Sequence, residues 1–147
     1  MSVFAEELVD LAMSATDKAG AITELARLVV ASGRGTDLDQ IVADVLARDA
    51  MGTPQVEGVA IPHARTAGVS VASVAVGRVG GIVFDPDEGE ADTIFMILVP
   101  DSAADEHIVI LQSLARKLMD PDFTEFLRSA TSADELVAQL GQGESNR

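Results

Sequence analysis

The two histidines are the side chains of this 147-residue chain best suited to transferring a proton or a chemical group, since the chain has no cysteine. His63 directly follows the apolar run 59–62, which is typical of a β-strand. Proline cannot donate to a sheet ladder, so the strand is predicted to end at Pro62 and to leave His63 open to solvent. A histidine there could carry a proton, a metal ion or a phosphoryl group.

His107, the second histidine, lies in the first turn of a predicted helix, at the edge of its apolar stripe. A helix N-terminus carries partial positive charge and unpaired N–H groups, which favour an anion such as phosphate. The acidic neighbours Asp105 and Glu106 weaken this argument. On the residues alone, His107 could bind phosphate or serve as an ordinary capping or packing residue.

Arg48 ends the second predicted helix, a few residues before the loop that leads to His63. A cation at a helix C-terminus ordinarily compensates the helix dipole. The guanidinium could also turn toward His63 and bind a dianion through two parallel hydrogen bonds. The spacing allows both interpretations.

Metal and serine-triad chemistry have no motif to support them. Neither histidine has a carboxylate at a metal-binding spacing such as H-E-x-x-H, and no G-x-S-x-G turn is present. The acidic segment 85–90 lacks the glycine and glutamate positions of a calcium loop and is predicted to be a solvated turn. We therefore expect neither a metal nor a cofactor.

The composition excludes several classes of partner. A formal net charge of −14 argues against binding a nucleic-acid backbone, and the five phenylalanines are the only aromatic residues available for stacking on bases or sugars. No apolar run is long enough for a membrane span, and the first residues lack the basic region of a signal peptide. We expect a cytoplasmic protein with no direct membrane insertion.

Helical and strand patterns alternate along the chain. Helices are predicted to start after Thr16, Thr36, Ser102, Asp120 and Ser132, and strands over 58–61, 69–79, 82–84 and 93–99. This order predicts an α/β fold, a single-domain layered sandwich with a mixed, mostly parallel sheet flanked by helices on both faces. One domain is expected over 1–147, with a core of about 8–140, a last helix ending at Leu140 and a flexible tail over 141–147.

Segment 58–63, Gly-Val-Ala-Ile-Pro-His, resembles the phosphorylation-site motif of the IIA components of the bacterial phosphoenolpyruvate:sugar phosphotransferase system (PTS), in the fructose/mannitol family. Segment 105–115 resembles the family's helix with a second histidine, and 131–136 resembles the start of its last helix. Arg48 and Asp49 resemble an Arg-Glu pair that precedes the active-site loop. The resemblance covers about 8–140. Aspartate replaces glutamate at Asp49, and the loop 52–57 is less glycine-rich than is usual.

The resemblance implies that His63 accepts a phosphoryl group from phospho-HPr, becomes a tele-phosphohistidine and passes the group to a PTS IIB domain, and through it to the membrane IIC component. It implies that His107 and Arg48 stabilise the phosphoryl oxygens by hydrogen bonds. The other ring nitrogen of His63 should be held by a backbone carbonyl or a similar acceptor. No metal is required, because the P–N bond of the donor is already labile.

Two alternatives to sugar transport stay open. A regulatory, nitrogen-type IIA protein would signal by its phosphorylation state, and a more distant possibility is an α/β ligand-binding module whose histidines are structural. For transport, fructose is the expected sugar. A relay that meets two partners in turn predicts a shallow site ringed by apolar residues. The sequence leaves open whether the chain is a separate subunit or one module of a longer protein.

Overall fold

The computed structural model describes residues 3–103 and 106–145, without the side chains of 106–107 and 141–145. The strands are β1 (Val9–Asp10), β2 (Gln55–Val56), β3 (Val59–Ala60), β4 (His63–Arg65), β5 (Ser73–Asp85) and β6 (Gly89–Val99). The helices are α1 (Lys18–Ala31), α2 (Leu38–Asp49), α3 (Glu106–Leu118), α4 (Pro121–Ser129) and α5 (Ala133–Ser145). None of the helices in the described ranges is both long and apolar enough to cross a membrane.

The strands form one mixed sheet in the order β1-β5-β6-β3-β2, and β4 pairs with β6 beyond the end of β3. The long hairpin β5–β6 and the short hairpin β2–β3 are antiparallel. The pairings β1–β5, β3–β6 and β4–β6 are parallel. Three of the five pairings described are therefore parallel, in agreement with the predicted mixed sheet.

Helices cover both faces of the sheet, as the alternation of burial along β6 requires. Residues 94, 96 and 98 of β6 pack into one core with α1 and α2. Residues 95, 97 and 99 pack into a second core with α3, α4 and α5. Because successive side chains of a strand point to opposite faces, β6 contributes to both cores at once. The layered α/β sandwich predicted from the sequence is confirmed.

Aspartates cap three of the helices. Asp37 and Asp120 accept hydrogen bonds from the backbone N–H groups of the first turns of α2 and α4, and a proline occupies the first turn of α4. The cap of α1 is Asp17, which accepts from Gly20 N at 2.7 Å, and the expectation of Thr16 was wrong by one residue. The carboxylate at position 17 is the side chain that reaches the free N–H groups.

Strand and helix ends differ from the prediction at several points. The segments 73–79 and 82–84 are one strand, because Gly81, at φ +117°, allows a register shift against β6 instead of a break. Residue 69 forms only an isolated bridge, and β1 and β2 are too short to show a period of two. Helix α5 continues to Ser145, so residues 141–145 are helical where the sequence predicted a tail.

Two valines of β5 provide a matched test of the core next to β6. Val76 is 1% exposed, whereas Val83 is 45% exposed on the same strand. Val76→Ala should lower the free energy of unfolding by ~2–3 kcal/mol, because it removes buried methyl groups and leaves a cavity. Val83→Ala should cost less than about 1 kcal/mol, mostly in strand propensity. Urea denaturation measures both, and equal losses would contradict the described burial.

Candidate functional site

The strand that carries His63 does not end at Pro62. Strands β3 and β4 keep one register against β6, since Ala60 pairs with Ile94 and His63 pairs with Ile97. The carbonyl of Pro62 accepts a hydrogen bond from Ile97 N at 3.0 Å, but Pro62 has no N–H to return. The missing donor interrupts the strand between β3 and β4, and the pairing with β6 resumes in the same register. His63 is consequently only 5% exposed, so the expectation of a solvent-open strand end was wrong.

The imidazole ring of His63 is held by its own strand. Its Nδ1 lies 3.1 Å from the carbonyl oxygen of Ile61. A carbonyl oxygen can only accept a hydrogen bond, so Nδ1 carries the proton and donates it. In the neutral ring, this places the lone pair on Nε2, the nitrogen that forms tele-phosphohistidine. The prediction that a backbone carbonyl holds the other ring nitrogen is confirmed.

The β2–β3 hairpin explains why the Ile61 carbonyl can meet the ring. Glu57 and Gly58 form its two-residue turn with φ of +50° and +79°, as a type I′ turn requires. Beyond the hairpin, Ile61 N donates to the carbonyl of Pro54 at 2.8 Å. The carbonyl of Ile61 accepts its described hydrogen bond from the imidazole of His63. This hairpin was not predicted, since 52–57 was expected to be a loop, although its Glu-Gly pair is close to the Asp-Gly signal of such turns.

Arg48 lies in the last turn of α2. This helix packs on one face of the sheet, whereas Ile97, the strand partner of His63, points to the other face. The Nη1 of Arg48 donates to the carbonyl of Gly52 at 2.9 Å, and it thereby closes the turn that follows the helix. In the described part of the chain, no hydrogen bond or ion pair joins Arg48 to His63. A role in phosphate stabilisation stays a prediction for this residue.

Asp49 and its partners are a feature that the sequence analysis did not find. The carboxylate of Asp49 lies 2.6 Å from Lys18 Nζ and accepts a hydrogen bond from the hydroxyl of Thr53. The side chain of Asp49 is 6% exposed, and that of Lys18 is 33% exposed. The ion pair links the start of α1 to the end of α2, and no local spacing pattern could have indicated a contact between residues so distant in the sequence.

His107 is the second residue of α3, and its side chain lies outside the described residues. Helix α3 contacts β4 and β6 on the face to which Ile97 points. Since His63 is paired with Ile97, strand alternation directs its side chain to this same face. The fold therefore brings the helix of His107 to the face of His63, as the proposed pairing of the two histidines requires.

Exposed apolar and cationic side chains flank this region. Ile108 and Val109, in the first turns of α3, are 44% and 49% exposed. Met51, in the turn after α2, is 81% exposed. Arg65 is exposed two residues after His63, where strand alternation places it on the same face. Ile108 and Val109 lie on α3, on the face of His63, whereas Met51 follows α2 on the opposite face, so a site ringed by apolar residues stays a prediction.

A model of the family described as phosphoenolpyruvate-dependent sugar phosphotransferase system, EIIA 2, matches residues 2–142. The chain belongs to this family. The EIIA 2 family comprises PTS phosphocarrier domains, so the buried histidine with a fixed tautomer belongs to a phosphotransferase domain.

The similar proteins include a sugar-transport component and a regulatory protein. The chain is 41% identical over 139 residues to the PTS system fructose-specific EIIA component of Haloferax volcanii, covering 92% of this chain and 90% of that protein. The crystal structure of nitrogen regulatory protein IIA-Ntr from Neisseria meningitidis is similar with a TM-score of 0.82 and 31% identity, over 94% of this chain and 96% of that one.

A second similar structure contains a partner. It is the complex of enzyme IIAMTL and phosphorylated enzyme IIBMTL from Escherichia coli, with a TM-score of 0.78 and 25% identity over 95% of this chain and 97% of that one. The EIIA fold therefore occurs in a protein that meets a phosphorylated IIB partner.

The hydrogen bond to Ile61 makes a prediction about the proton on His63. In the neutral ring, Nδ1 should be the protonated nitrogen and Nε2 the unprotonated one. A long-range ¹H–¹⁵N correlation spectrum at alkaline pH, where imidazole is neutral, distinguishes the two tautomers. The signals of His63 are assigned by their loss in His63→Gln. A ring protonated mainly on Nε2 would contradict the described geometry.

Proposed function

We propose that this EIIA domain accepts a phosphoryl group from phospho-HPr on Nε2 of His63 and passes it to a PTS IIB domain during fructose uptake. The observation that carries the proposal is the hydrogen bond from His63 Nδ1 to the Ile61 carbonyl. It fixes the tautomer in which Nε2 is the nucleophile, with no further proton transfer needed before attack.

The transfer can be written with balanced atoms and charges. The lone pair of His63 Nε2 forms a bond to phosphorus while the P–N bond of the donor phosphohistidine breaks. Its electron pair returns to the donor ring, which was protonated on its other nitrogen and leaves as neutral imidazole. The His63 ring keeps its Nδ1 proton and gains the positive charge, which the Ile61 carbonyl stabilises. Transfer to IIB is the same step in reverse, with the acceptor's nucleophile attacking phosphorus.

Three cationic or donor groups are proposed to act on the phosphoryl oxygens. Charge in such a transition state spreads over the equatorial oxygens, so positioning and electrostatic stabilisation supply most of the catalysis. His107 is assigned this role because α3 packs on the face of His63. Arg48 is retained from the family pattern, and the exposed Arg65 is an additional cation on the same strand.

The partners are proposed from chemistry and from the relatives together. The exposed Ile108 and Val109, on the helix that packs on the face of His63, are suited to transient apolar docking of two proteins in turn. The complex of IIAMTL with phosphorylated IIBMTL supports a IIB domain as one of them, and the fructose-specific relative supports the sugar. Through IIB the phosphoryl group would reach the membrane IIC component, and we propose that the chain does this in the cytoplasm as a single domain.

His63→Ala should take up no phosphoryl label. The purified domain is incubated with enzyme I, HPr and [³²P]phosphoenolpyruvate, and incorporation is counted after gel separation. Removal of the proposed nucleophile should reduce incorporation at least 100-fold. His63→Gln, which keeps the size of the side chain, should behave in the same way. Undiminished label on either folded variant would refute the proposal.

His107→Ala should keep its fold and slow the onward transfer to IIB. Loss of one hydrogen-bond donor to the phosphoryl oxygens should reduce the rate by ~10–100-fold. Rapid mixing of the phosphorylated variant with a purified fructose IIB domain measures the rate, and circular dichroism checks the fold. Unchanged transfer would remove His107 from the mechanism.

The regulatory alternative is favoured by one observation, the similarity to nitrogen regulatory protein IIA-Ntr over nearly the whole chain. In that case His63 would still accept the phosphoryl group, but the phosphorylated and unphosphorylated forms would bind a target protein differently. Rapid transfer to a fructose IIB domain would favour transport. Regulation would be favoured by a stable phosphorylated form that does not transfer its phosphoryl group to IIB, together with a target protein that binds only the phosphorylated or only the unphosphorylated form.

A further inference from the structure

A continuous line of contacts runs from a buried ion pair to the ring of His63. It begins where Lys18 Nζ lies 2.6 Å from the carboxylate of Asp49, whose side chain is almost completely buried. The same carboxylate accepts a hydrogen bond from the hydroxyl of Thr53. Thr53 is thereby tied to the ends of two helices, α1 and α2.

The second half of the line passes through the backbone. Thr53 precedes Pro54, whose carbonyl accepts a hydrogen bond from Ile61 N at 2.8 Å. The carbonyl of Ile61 in turn accepts from His63 Nδ1 at 3.1 Å. The Ile61 peptide follows β3, which pairs with β6, and the Pro54 contact holds its N–H from the other side. The loop before β2 therefore helps to orient the acceptor for the imidazole.

The residues between α2 and Thr53 are exposed, whereas beyond Pro54 the pairing of Gln55 with Ala60 and the side-chain hydrogen bonds of Gln55 to the carbonyls of Glu88 and Gly89 hold the chain. Met51 is 81% exposed, and a Cβ added to Gly52 would meet no atom within 4 Å. The turn 48–52 is closed by its own hydrogen bonds, Arg48 Nη1 to Gly52 O and Gly52 N to Asp49 O, which do not reach the sheet. The Thr53–Asp49 contact is the described side-chain link between this turn and the segment that touches Ile61.

We propose that Asp49, acting through Thr53, positions the carbonyl of Ile61 and so holds His63 in the tautomer that presents Nε2 to phosphorus. The ion pair with Lys18 holds the Asp49 carboxylate in place, and a carboxylate accepts a stronger hydrogen bond from the Thr53 hydroxyl than a neutral group would. Asp49 and Thr53 are positioning residues, and neither needs to touch the phosphoryl group. The proposal rests on the proposed function for its effect on rate, but its effect on the tautomer is independent of it.

Thr53→Val tests the line with little change in shape, because it replaces the hydroxyl by a methyl group. The Nε2–H tautomer of His63 should become detectable by ¹H–¹⁵N correlation at alkaline pH. Phosphoryl uptake from phospho-HPr should slow about tenfold, equivalent to ~1.4 kcal/mol. Thr53→Ser, which keeps the hydroxyl, should restore the native tautomer and the native rate within about twofold. Where Thr53→Val does not fold, Thr53→Ala provides the same test.

Thr23→Val is the matched control. The hydroxyl of Thr23 donates to Ala19 O within α1, away from the line of contacts, and its loss should change neither the tautomer nor the rate. A native tautomer in folded Thr53→Val, whatever its rate, would overturn the positioning role. Failure of the proposed function has a different signature, since wild-type protein would then take no label on His63 while Thr53→Val still shifted the tautomer.

Discussion

The backbone hydrogen bonds between β6 and the interrupted strand β3–β4 set the position of His63. The strand β6 is buried on both faces over 94–99, so its place between two helical layers is fixed by both cores. Strands β3 and β4 share one register on it, and that register continues across Pro62. His63 therefore lies at a defined height and on a defined face of the sheet. A slip of one residue would turn it toward α1 and α2.

Pro62 interrupts the backbone hydrogen bonding of this strand. A central strand normally avoids proline, because the ladder loses a hydrogen bond. The lost hydrogen bond lies on the β6 side, where the Pro62 carbonyl accepts from Ile97 N. The backbone of Ile61 faces the other side, where its N–H donates to Pro54 O and the described pairing with β2 goes no further. The Ile61 carbonyl is satisfied by the imidazole instead. This one hydrogen bond gives the buried carbonyl a donor and fixes the tautomer of the histidine.

The sequence predicted the parts of the molecule that local patterns determine. The layered fold followed from the order of helical and strand periods, and His63 followed from its type and its place after an apolar strand. The burial of His63, the passage of the strand through Pro62 and the Lys18–Asp49 ion pair are set by pairing between distant segments, which no local pattern contains. Asp17 in place of Thr16 shows a smaller limit, since two adjacent residues can both cap a helix and only the backbone decides between them.

We propose that His63 is a phosphoryl carrier whose ring is preorganised by its own backbone. The most direct measurement of this claim is a ³¹P- and ¹⁵N-edited NMR spectrum of the uniformly ¹⁵N-labelled domain after phosphorylation by enzyme I, HPr and phosphoenolpyruvate. One-bond coupling of phosphorus to Nε2 of His63, with the proton retained on Nδ1, is the result predicted. Coupling to Nδ1 of His63, or a phosphoryl group on another residue, would contradict it.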